Sequence, residues 1–137
     1  MTRAYRGPSR MLLCIDDSQA MLEYLRVLFE ASGYIVVTAA SARQGLRLAT
    51  ICRFDAVLLD YHMPEMNGHQ FALEIRRIRP ETLVVMFSGS EIPEETHMLV
   101  DAVVPKTEAI RELLPTVARL CNQVGLPRQR SRCDAST

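Results

Sequence analysis

The strongest constraint on this chain is an alternation of two kinds of segment. Five short, continuous apolar runs cover residues 11–15, 35–37, 56–59, 83–87 and 102–104. Runs of that length, several rich in β-branched residues, suit strands buried on both faces of a sheet. The stretches between them carry apolar residues at helical spacing. Met21, Leu22, Leu25, Leu28 and Phe29 form one stripe, with Ser18 placed to cap it and Gly33 to stop it. Ser41 is placed to cap a second helix carrying Leu46 and Ala49. Phe71, Ile75 and Ile78 mark a third, which should end before Pro80. A fourth is short, about 93–100. A fifth runs from Thr107 with Ile110, Leu113, Leu114, Val117, Leu120 and Cys121 on one face. Pro115 lies inside that last pattern and is expected to kink or break it. Strict strand–helix alternation predicts an α/β fold, a parallel sheet with helices on both faces.

Size and charge narrow the field. A chain of 137 residues fits one compact domain. Residues 1–9 read as a loose lead-in, 10–124 as the folded domain and 125–137 as a disordered tail. Sixteen basic and sixteen acidic residues cancel, so no global field draws the protein to nucleic acid or membrane. The basic residues Arg128, Arg130 and Arg132 read as part of a solvated tail. The longest apolar runs fall far short of the roughly 20 residues a bilayer span takes. The apolar stretch after Arg3, Arg6 and Arg10 stops at Asp16-Asp17, too soon for an export signal. Direct nucleic-acid binding and membrane insertion are therefore not expected, and the protein is expected in the cytoplasm. Cys14, Cys52, Cys121 and Cys133 have neither CxxC nor zinc-ligand spacing, so the first three read as small apolar residues and Cys133 as an incidental tail thiol.

The polar residues that close the strands carry the chemistry. Asp16 and Asp17 follow the first run, Asp60 the third, Ser88 the fourth and Lys106 the fifth. In an open parallel sheet the strands end on one edge, where ligands bind, so these residues should converge. Three carboxylates there repel, and at least one should have a raised pKa unless a cation is present. A hard divalent ion held by oxygen ligands resolves the repulsion. Met63 and Met66 read as packing residues, and Pro64 and Gly68 as shaping the loop after the third strand. His69 and His97 read as surface residues.

The set Asp16-Asp17, Asp60-Tyr61-His62-Met63-Pro64-Glu65-Met66-Asn67-Gly68, Ser88-Gly89 and Lys106 resembles the receiver domain of two-component response regulators, over about 10–124. The resemblance implies a flavodoxin-like, doubly wound (βα)5 fold whose five parallel strands run in order 2-1-3-4-5. It implies a stand-alone phosphoacceptor rather than a turnover enzyme, taking a phosphoryl group from a sensor histidine kinase or phosphotransfer protein and signalling to a downstream protein. Asp60 would be the nucleophile. Mg2+ (or Mn2+) would be held by Asp17, Asp60 and the backbone carbonyl of His62, with Asp16 acting through water. Lys106, Ser88 and the Gly89 N–H would contact phosphoryl oxygens. His62 and Ser90 would face each other across the phosphoryl group and tune its lifetime.

Three departures from the family pattern bear on output. Val103 occupies the place of the usual switch aromatic, three positions before the lysine. Thr107 follows Lys106 where a proline is usual. The span from Ser88 to Lys106 is short, so the fourth helix should be clipped and the output face atypical. An alternative keeps the fold without the chemistry, as a phosphorylation-independent interaction module. A haloacid-dehalogenase type phosphatase would need an Asp-x-Asp nucleophile at the first strand, which Asp16-Asp17-Ser18 lacks. No glycine-rich loop with a lysine follows that strand, which excludes P-loop nucleotide binding.

Overall fold

The computed structural model describes residues 9–123. The expectations for the tail, with Arg128, Arg130, Arg132 and Cys133, and for all of the lead-in except Ser9, lie outside the described residues. Five strands alternate with five helices: β1 (Met11–Ile15), α1 (Gln19–Glu30), β2 (Ile35–Ala39), α2 (Ala42–Ile51), β3 (Ala56–Asp60), α3 (Gly68–Ile78), β4 (Leu83–Ser88), α4 (Glu94–His97), β5 (Ala102–Pro105) and α5 (Ala109–Gln123). All sheet neighbours pair in parallel, in the order β2-β1-β3-β4-β5.

Every residue of β1, β3 and β4 is buried. Strand period then sends alternate side chains to opposite faces. Leu12, Cys14, Leu58, Val85 and Phe87 pack with Leu25 and Phe29 of α1 and Leu113 and Val117 of α5. Leu13, Ile15, Val57, Leu59, Val84 and Met86 pack with Ala49 of α2 and Phe71 and Ile75 of α3. Each fully buried side chain of this size contributes about 1.5–3 kcal/mol. Cys14 and Cys121 are buried and Cys52 is half-buried, as small apolar residues would be. Burial pushes the Cys14 thiol up to about 12, a shift that nearby Arg26 only partly opposes.

Local signals set the helix ends. The Ser18 and Ser41 hydroxyls accept the N–H groups of Met21 and Gln44. Asn67 and Gln70 form a reciprocal capping box that opens α3. Gly33, at φ 94, turns the chain out of α1 into β2.

Three expectations need correction. Helix α5 runs unbroken through Pro115. Pro115 is exposed, on the solvent side of the helix. The same helix starts later than Thr107, because Lys106–Glu108 forms a 3-10 turn first. Helix α4 covers only 94–97 rather than 93–100, with Pro93 at its N-cap and turns following it.

Candidate functional site

Register brings the strand ends together. Asp60, the last residue of β3, pairs with Phe87, and Ser88 pairs with Pro105, the residue before Lys106. Asp16 stays in line just past β1, where its N–H donates to the Ala39 carbonyl at 3.2 Å. Asp16 is fully buried, Asp60 is nearly so and Asp17 is exposed.

Lys106 Nζ bridges the two buried carboxylates. It lies 3.2 Å from Oδ2 of Asp60 and 3.4 Å from Oδ2 of Asp16. It also stands 5.4 Å above the centre of the Phe87 ring, a cation–π contact. The other Asp16 oxygen accepts the Ser18 N–H at 2.8 Å. The His62 N–H reaches Oδ1 of Asp60 at a longer 3.4 Å.

These neighbours set the protonation balance. Burial, the largest influence on Asp16, holds its carboxyl above the usual 3.8 with help from nearby Asp60, against the Ser18 N–H and the Lys106 ammonium. Burial pulls the Lys106 ammonium down, but the Asp16 and Asp60 carboxylates outweigh it, and the net shift is upward from 10.5.

Asp16, Asp17 and Asp60 each offer one oxygen, and these three oxygens lie within 4.8 Å of one another. One exposed and two shielded carboxylates form a hard-oxygen set open on one side. That donor chemistry fits a magnesium ion that keeps some of its waters.

The loop after β3 is shaped by backbone geometry. Met66 N–H donates to the Pro64 carbonyl and Gly68 N–H to the Tyr61 carbonyl, both at 2.7 Å. Glu65 takes a left-handed φ of 73. A Cβ on Gly68 would sit 2.9 Å from the Tyr61 Cα and 2.9 Å from the Met86 Cε, so only glycine fits unstrained. Met63 is buried and Met66 partly so, both packed against the core.

Ser90 faces a histidine and is bonded to Ser88. Ser90 N–H donates to Ser88 Oγ at 3.2 Å, and His62 Nε2 lies 2.7 Å from Ser90 Oγ. Gly89 is exposed, and a Cβ there would meet nothing within 4 Å. Val103 is half-buried in β5, opposite Met86 and against the core on that side of the sheet.

Sequence reasoning missed other contacts around the site. His69 is not a free surface residue: its Nδ1 lies 2.8 Å from Oγ1 of fully buried Thr96, tying α3 to α4. His97 is exposed as expected. Arg76 clamps the far end of the same segment, donating to the carbonyls of Leu99 and Thr82 and to Asp101. Beside the site, an open groove of about 740 Å³ runs between the 88–94 loop and β5, over Val103. Its only trace in the sequence was the short span from Ser88 to Lys106.

A family model described as response regulator receiver domain matches residues 12–117. The chain is 36% identical over 84 residues to the transcriptional regulatory protein GlrR of Escherichia coli (strain K12), covering 61% of this chain and 19% of that protein. It spans about half or less of the length of the curated relatives it matches. A CheY-like response regulator receiver domain from Methanospirillum hungatei JF-1 superposes with a TM-score of 0.79 at 26% identity, over 85% of this chain and 96% of that one. The response regulator TrrA of Thermotoga maritima, solved in complex with Mg(2+)-BeF, superposes with a TM-score of 0.77 at 25% identity, over 81% and 98%.

Proposed function

This chain belongs to the response regulator receiver domain family, and from that premise we propose that Asp60 is its phosphoacceptor. The observation that carries the reading is the Lys106 ammonium seated between the Asp60 and Asp16 carboxylates at the mouth of an acidic triad. A carboxylate oxygen of Asp60 forms a bond to the phosphorus of a kinase or phosphotransfer-protein phosphohistidine. The P–N bond breaks, and its electron pair stays on the imidazole nitrogen.

The receiver unit spans 10–124. Asp17 and Asp60, with the His62 carbonyl, would hold magnesium, with Asp16 supporting it through water. When bound, the ion offsets negative charge on the phosphoryl oxygens. Manganese would serve the same oxygen donors. Lys106 leaves its carboxylate partners far enough to pair with a phosphoryl oxygen. The Ser88 hydroxyl and the Gly89 N–H bond the other oxygens. The acceptor is consumed stoichiometrically, so the domain is not a turnover enzyme on an external substrate. It works in the cytoplasm, and no helix among the described residues is long and apolar enough to cross a membrane. Its output goes to a protein partner rather than to nucleic acid directly.

His62 and Ser90, hydrogen-bonded to each other above the triad, tune the phosphoryl lifetime by controlling the approach of water. Equal hydrolysis rates in His62→Asn, Ser90→Ala and the wild type would remove that role. The interaction-module alternative is less well supported, because it leaves the buried Asp16 charge and its lysine without a purpose. The test is intact mass after incubation with magnesium and acetyl phosphate. One added phosphoryl group, absent in Asp60→Asn, is expected. Absence of the adduct together with failure to bind beryllofluoride would overturn the reading.

A further inference from the structure

An aromatic ring lies beneath the ammonium of the site. Phe87, fully buried in β4, stands one residue before Ser88 and pairs in register with Asp60 on one side and Val104 on the other. It packs with Cys14, Leu58 and Val104 on the α1 and α5 side of the sheet. Asp16 and Asp60 lie two residues beyond Cys14 and Leu58, so strand period carries them to that same side. Lys106 lies two residues beyond Val104. Its Nζ stands 5.4 Å from the centre of the Phe87 ring while meeting Asp60 at 3.2 Å and Asp16 at 3.4 Å. Val103 packs on the other face of the sheet, so the Phe87 ring does not stand in for the missing switch aromatic.

We propose that Phe87 is a positioning residue for phosphoryl transfer: its ring face holds the Lys106 ammonium at the mouth of the acidic triad, ready to pair with a phosphoryl oxygen. The role rests on the phosphoacceptor reading of Asp60. A lysine head is a point charge on a flexible four-carbon stem, with no planar fork to fix its direction. Both carboxylates that now hold it change their duties in the reaction, since Asp60 takes the phosphoryl group and Asp16 supports the ion. The ring is neutral and buried, so its attraction for the ammonium is the same before and after transfer. An aliphatic side chain would fill the same part of the core and leave the ammonium without that attraction.

Lys106 is the only lysine in the chain, so isotope-labelled lysine gives a single set of side-chain NMR signals. Nuclei above a ring face are shifted upfield. Without magnesium or phosphodonor, the Lys106 methylene protons next to Nζ are expected upfield of free lysine in the wild type and close to it in Phe87→Leu. Site-specific replacement of Phe87 by mono-, di- and trifluorophenylalanine keeps the shape of the ring while drawing charge from its face, and it serves equally if Phe87→Leu does not fold. Phosphoryl uptake from acetyl phosphate at fixed magnesium, followed by intact mass, should slow with each fluorine, by about three- to tenfold over the series. In urea without divalent ions, each fluorine should weaken the wild type and leave Lys106→Met unchanged. Equal losses in both backgrounds, or Lys106 signals indifferent to the ring, would reduce Phe87 to packing and overturn the proposal. So would a flat rate series in proteins that do take the phosphoryl group. A wild type that gains no phosphoryl group and binds no beryllofluoride would overturn the Asp60 reading, and the role in transfer with it, whereas ring-dependent signals would still seat the ammonium on Phe87.

Discussion

The Lys106 ammonium and the Asp60 carboxylate meet at 3.2 Å across 46 residues of sequence. The lysine is the only cation in hydrogen-bond contact with the triad among the described residues, and it serves two acids at once.

Replacing Lys106 with Met keeps most of the stem and removes the charge. Without divalent ions at neutral pH, the variant should lose about 1 kcal/mol in urea unfolding, since the pair is partly shielded from solvent. The folded pKa of Lys106 is raised, so its stabilisation is fully present below the unfolded value of 10.5 and is lost as pH rises through the folded value. The gap between wild type and variant should therefore close in the alkaline range. A gap that stays constant there would contradict the assignment.

Asp16 has a linkage of the same sign, placed in the acid range and with the charged form disfavoured rather than favoured. Its folded carboxyl holds a proton more tightly than the unfolded one, so stability falls as pH rises through the acid range from below 3.8 up to the folded value. At pH 7 the buried charge is a net cost. Asp16→Asn should melt a few degrees higher than the wild type without divalent ions, and should lose part of the rise that magnesium gives the wild type. Thermal denaturation with and without magnesium chloride checks both. A lower melting point for the variant in the ion-free sample would reject the prediction.

Gly68 is sterically required at the start of α3. A Cβ would press on the Tyr61 Cα, which is backbone and cannot swing aside. Gly68→Ala should cost about 1–3 kcal/mol by overpacking. Urea unfolding measures it, and a neutral result would mean that the loop relaxes more easily than its hydrogen bonds suggest.

Arg76 holds the segment between α4 and β5 in place of a longer helix. Its Nε donates to the Leu99 carbonyl at 2.9 Å, one amino group to the Thr82 carbonyl at 2.8 Å and the other to Asp101 at 2.6 Å. Arg76→Ala should cost about 2 kcal/mol, because it removes three hydrogen bonds donated to partly buried acceptors. Acceptance of a phosphoryl group from acetyl phosphate should persist, because Arg76 touches none of the triad. Intact mass and urea unfolding on one sample separate the two effects.

Much of the fold was legible because its signals are local. Continuous apolar runs marked all five strands, although β2, β3, β4 and β5 each extend past the predicted runs. Serine caps marked the starts of α1 and α2. The residues closing the strands pointed to the site, since strands of a parallel sheet share one edge. The strand order came from the family resemblance rather than from periodicity.

Tertiary structure decided what local pattern could not carry. His69 with Thr96, Arg76 with Asp101 and His62 with Ser90 are pairs 25 to 28 residues apart, and no periodicity in either partner announces the other. Pro115 looked like a helix breaker, yet α5 continues through it with Pro115 on the solvent side. The sequence by itself determined the layered fold and the acids, hydroxyl and ammonium at its edge, because burial period and capping act over a few residues. Only the folded chain decided that Lys106 serves Asp16 and Asp60 together, and that a short α4 over Val103 leaves a groove. Both depend on distances between elements set by packing of the whole core.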